Sequence, residues 1–107
     1  MAAVAQQAAL ATGPVITGQT VAASDTFQPH PRGVLVFAST GTPSNITFTI
    51  PGTNDLGQNT PDPVIALGAT ETRAVHTGPY VPYADVSGNV TYNTSSQTGV
   101  TVRFIVV

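Results

Sequence analysis

Asn45-Ile46-Thr47-Phe48-Thr49-Ile50 alternates without a break, with Ile46, Phe48 and Ile50 on one side and Asn45, Thr47 and Thr49 on the other. Successive side chains of a β-strand point to opposite faces, so this stretch is a strand with one face on a core and one toward polar surroundings. The same period returns at the end of the chain, where Val100, Val102, Phe104 and Val106 share a face. Opposite them stand Thr101, Arg103, Ile105 and Val107, a row that begins polar and ends apolar. Upstream, Val34-Leu35-Val36-Phe37 is apolar on both faces, the pattern of a central strand covered on both sides.

Nine prolines and ten glycines interrupt the chain, too often for a long helix beyond the N-terminal segment. The runs between them are rich in Val, Ile, Thr, Phe and Tyr, the residues that suit a pleated sheet. They place strands at residues 14–22, 33–39, 45–50, 63–67, 70–77, 89–94 and 100–107, and the polar loop 94–99 reads as the turn of a C-terminal hairpin. Short strands at this spacing specify an all-β fold, a small antiparallel β-sandwich of Ig-like or jelly-roll-like architecture. Val36, Phe37, Phe48, Val102 and Phe104 are its expected core. Residues 14–107 form the single sandwich domain, and residues 1–13 form an N-terminal arm, extended or short-helical.

The 107 residues suffice for one modest core. Without cysteine, neither a disulfide nor a thiolate metal site supplements it, and a homo-oligomer or symmetric assembly is expected to add stability. Only 7% of residues are charged, against about 25% in an ordinary soluble domain. The cations are Arg32, Arg73 and Arg103, and the net charge is −2. Three scattered arginines make no basic stripe, so neither nucleic acid nor an anionic membrane surface is an expected partner. The Ala-rich start lacks a positive n-region, and Gln6 and Gln7 break its apolar run, so synthesis in a cytoplasm without an export signal is expected.

The ionisable groups are Asp25, Asp55, Asp62, Glu71, Asp85, the arginines, His30 and His76. No two carboxylates stand at a spacing that pairs them on one strand face. His30, between Pro29 and Pro31, reads as an extended loop residue, and His76 shares a strand face with Thr70, Thr72 and Ala74. Neither has a second ligand at metal-binding spacing. There is no Gly-x-Ser-x-Gly elbow, phosphate loop or dinucleotide fingerprint. The expectation is a protein without catalytic residues, cofactor or metal. A carbohydrate-binding sandwich is the alternative binding module; it would present exposed tryptophans or an acidic calcium cluster, and this chain has no tryptophan.

Two segments suggest interfaces. Gly78-Pro79-Tyr80-Val81-Pro82-Tyr83 carries two prolines that hold it extended and two tyrosines, rigid amphipathic groups favoured in interfaces. The alternative reading is a crossover loop whose tyrosines cover the end of the core. Residues 2–11 are good helix formers but too few for a helix stable alone in water. They are expected to order against a neighbouring subunit, Val4 and Leu10 filling shallow apolar pockets, or else to fold back on their own β-body. Val4, Leu10, Tyr80 and Tyr83 are thus the candidate interface residues.

From Thr26 to Val107 the chain resembles small virion proteins of tailed bacteriophages, particularly those of actinobacterial hosts. The likeness runs through Arg32-Gly33-Val34-Leu35-Val36, Glu71-Thr72-Arg73, Gly78-Pro79-Tyr80 and Tyr83-Ala84-Asp85. It continues through Gly88-Asn89-Val90-Thr91-Tyr92 and Thr98-Gly99-Val100-Thr101-Val102. It departs at Leu67-Gly68-Ala69-Thr70, in place of Pro-Ala-Gly, and in the open polar stretch 52–62. The resemblance implies a structural protein of the virion, a decoration or cementing protein bound to the major capsid protein on the outside of the head. A tail, connector or fibre-base protein is the nearby alternative.

Overall fold

A computed structural model describes residues 2–10, 12–50 and 62–107; Asp55 and the polar stretch 52–62, apart from Asp62, lie outside them. Among the described residues the strands are β1 (Ala2–Val4), β2 (Gln6–Ala8), β3 (Gln19–Thr20), β4 (Ser24–Phe27) and β5 (Gly33–Ser39). They continue with β6 (Ser44–Thr49), β7 (Val64–Leu67), β8 (Thr72–His76), β9 (Val90–Thr94) and β10 (Val100–Val106). The fold is all-β. Two sheets pack face to face, one ordered β1-β4-β9-β6-β7 and the other β2-β10-β5-β8, with β3 also on β10. The pairings among β3 to β10 are antiparallel. The arm adds the two parallel ones, β1 on β4 and β2 on β10.

The alternation read from residues 45–50 and 100–107 holds: Ile46, Phe48, Val100, Val102 and Phe104 are fully buried. All four phenylalanines of the chain and two of its three tyrosines meet between the sheets. Phe27 is the hub, with Phe48 and Phe104 edge-on at 6.0 and 5.9 Å between ring centroids. Phe37 meets Tyr92 at 5.3 Å and 90°. Such edge-to-face contacts set the negative ring face against a positive edge and add to the stabilisation from burial.

Four expectations are corrected. β9 and β10 form no hairpin: β9 pairs with β4 and β6 while β10 lies in the other sheet. The loop between them is long enough to cross the roughly 10 Å separating packed sheets. It is tied to β6 on the way, Asn45 N–H donating to Ser95 Oγ and Ser44 Oγ to the Ser96 carbonyl, both at 2.8 Å. Second, of residues 14–22 only β3 is strand, and β4, absent from the expected set, supplies Phe27. Third, β5 is covered on one face only. Leu35 and Phe37 point inward, while Val36 stands half-exposed on the outer face between Arg103 of β10 and Ala74 of β8. Fourth, of the two expectations for the arm, docking on a neighbour or folding back, Ala2–Val4 and Gln6–Ala8 take the second, pairing with β4 and β10 of their own chain and burying Val4 in the core.

Candidate interaction surface

Among the described residues no group of three or more His, Cys, Asp or Glu is placed to hold a metal ion. Among the described residues the fully buried carboxyl group, Asp25, is structural. Its Oδ2 accepts from Tyr92 Oη at 2.8 Å and from Ala22 N–H at 3.1 Å, while Oδ1 has no partner among the described residues. Burial, reinforced by the hydrogen bond to Asp25 and its charge, pushes the Tyr92 hydroxyl far above the ordinary tyrosine range. This pair ties β4 to β9 beneath the sheet surface. Glu71 and Arg73, 3.3 Å apart, lie exposed at the β8 edge. The Gly68 N–H and then Arg73 hold the Glu71 carboxyl below its usual range.

The two ends of the sandwich differ. Phe27 closes β4 and Gly33 opens β5, so residues 28–32 cap one end; His76 closes β8 and Val90 opens β9, so residues 77–89 cap the same end. Gly78–Tyr83, expected to be extended, is a 3-10 helix with Pro79 at its start. The fixed φ of proline suits that position as well as an extended one. Tyr80 turns inward, stacked on Phe48 at 4.9 Å. Burial raises its hydroxyl above the ordinary range. Thr77, fully buried, donates from Oγ1 to the His30 carbonyl at 2.7 Å and accepts from His30 N–H at 3.2 Å, joining the two capping segments. His76 Nε2 meets the Pro31 carbonyl at 3.1 Å. That oxygen can only accept, so Nε2 carries the proton.

On this locked base stand apolar side chains that nothing in the described chain covers. Tyr83 is 45% exposed, Val81 39%, and Val86 fully so. Val86 tops a rigid turn: Asp85 Oδ1 accepts from Ser87 and Asn89 N–H at 2.8 and 3.0 Å. Gly88, at φ +81°, donates back to the Asp85 carbonyl. A groove of about 400 Å³ runs between Pro63, Val75, His76, Pro79 and the two tyrosines. Leu10, just past the end of β2, is 60% exposed, and Val64 and Val107 stand out beside the same end. The far end is capped by residues 40–43, 68–71 and 95–99, which carry hydroxyls, an amide, the Glu71 carboxylate, a proline and glycines, and among the described residues no large exposed apolar residue lies there.

Of the four residues expected at interfaces, Leu10 and Tyr83 are therefore available, while Val4 and Tyr80 are taken up by the chain's own core. Val81 belongs to the segment expected at an interface, whereas Val86 lies outside it, between Asp85 and Ser87. A lone valine between polar turn residues, as Val86 is, carries no sequence signal, and its exposure follows only from the turn that lifts it. Compared with family models, curated proteins and solved structures, the chain gives no match.

Proposed function

We propose that this protein is a non-enzymatic structural component of a virion, a decoration protein that binds the outside of a tailed-phage head and stabilises it. The observation that carries the reading is the asymmetry of the sandwich. One end offers Val81, Tyr83 and Val86 on hydrogen-bonded turns, and the other is polar. Apolar side chains fixed before binding lose little freedom on docking, so a small patch suffices. Repeated over a symmetric shell, many modest contacts sum to a large stabilisation. The virion-protein resemblance of residues 26–107 supports the same partner, the major capsid protein.

Co-sedimentation with empty heads of the encoding phage tests it. The protein should pellet with heads at a saturable ratio and raise their disruption temperature. Val86→Asp, a change at a fully exposed side chain, should weaken attachment without altering the free protein. Protein that stays in the supernatant with saturating heads would refute the proposal.

A further inference from the structure

We infer that the N-terminal arm is an exchangeable strand: the slot it fills between β4 and β10 also accepts the arm of a second copy of this chain. The inference stands apart from the head-binding reading. Each half of the arm pairs over three residues only. Among its described side chains Val4 alone is buried. Where the chain steps from one sheet to the other at Ala5, a cavity remains on either side. One, of about 270 Å³, lies between Val4, Gln7, Gln19 and Phe104. The other, of about 320 Å³, lies between Val4, Gln6, Phe27 and Asn89. Both are clefts open to solvent, so apart from Val4 the arm lies on the surface of its slot and is not packed into the core.

The bonds that fasten the arm are local to the slot. Gln6 Nε2 donates to the Gln28 carbonyl at 2.9 Å, and Gln19 Nε2 to the Ala3 carbonyl at 3.3 Å. Gln7 exchanges two bonds with the Thr17 backbone, both 2.8 Å. A second copy's arm remakes every one of them with the same atoms, as it does the Val4 contact, so exchange gives up only freedom of association and the turn in which Gly13 N–H donates to the Leu10 carbonyl at 3.0 Å. Residues 9–16 connect arm and body, and eight extended residues reach about 26 Å, enough to pass to an adjacent molecule. On that connection Leu10 and Val15 are 60% and 88% exposed. Two connections running past each other would cover them, and for this reason the occupant is a second copy rather than a foreign strand.

The chain has no cysteine, which makes the test clean. Ala3 lies opposite Thr26, and Ala8 opposite Val106. Ala3→Cys and Thr26→Cys are made in separate proteins, mixed at high concentration, warmed briefly and oxidised. Exchange predicts a covalent dimer on a non-reducing denaturing gel, rising with concentration, and the same from Ala8→Cys mixed with Val106→Cys. The double variant Ala3→Cys/Thr26→Cys, oxidised dilute, reports the slot filled within one chain as a cross-linked monomer. If it cross-links as a monomer and neither mixture yields dimer at any concentration, the arm does not exchange and the inference falls.

Discussion

Phe48 lies between Phe27, Phe37, Tyr80 and Tyr92, with no exposed surface. Truncating it to alanine should cost about 3–5 kcal/mol, because a site walled by rings on both sheets cannot collapse into the space left behind. Denaturant titration measures this, and a loss below about 1 kcal/mol would lie outside what a buried phenylalanine gives. Tyr92 carries a second test. Its hydroxyl, like that of Tyr80, stays protonated in the fold above the ordinary tyrosine range, whereas an unfolded tyrosine ionises near pH ~10. Above that pH the unfolded chain binds fewer protons than the folded one, so stability is full below about pH 10 and falls as pH rises further. Tyr92→Phe should flatten this alkaline decline. At neutral pH it should also cost about 1–3 kcal/mol, since Asp25 loses its hydroxyl donor while remaining buried. An unchanged alkaline slope in the variant would mean that Tyr92 is not the group responsible.

At the scale of elements, the arm decides how the sandwich is closed along one side. Deleting residues 2–8 exposes Phe27 and Phe104 and removes the burial of Val4, a side chain worth on the order of 2 kcal/mol. The free protein should unfold at clearly lower denaturant, and an unchanged midpoint would contradict the docked position of β1 and β2. The elements legible in the sequence are those whose inward residues are apolar and alternate, β6 and β10. β4 was hidden because one of its two inward positions is Asp25, whose partner hydroxyl lies 67 residues away. The arm was hidden because alanine is a helix former, and only the slot between two sheet edges makes it strand. Alternation also fixes a strand's faces without fixing its sheet, so the polar loop before β10 concealed a crossing. The same limit governs the surface: Tyr80 and Tyr83 look alike in sequence, and the 3-10 turn sends one into the core and leaves the other outside.

For the whole molecule, the described residues form a β-body with one polar end and one that exposes Val81, Tyr83 and Val86, and on the head-binding proposal the second is the docking face. The side chains proposed to make contact, Val81, Tyr83 and Val86, carry no formal charge at neutral pH, so attachment should survive high salt, where screening reaches within about 3 Å. Cryo-electron microscopy of empty heads incubated with excess protein is the most direct measurement, taken at low and at high salt. The account predicts added density on the outer surface under both conditions, each copy standing on the Gly78–Tyr83 turn and Val86 with the Ser95-to-Gly99 loop pointing away. Heads without added density, or copies attached through the polar end, would contradict it.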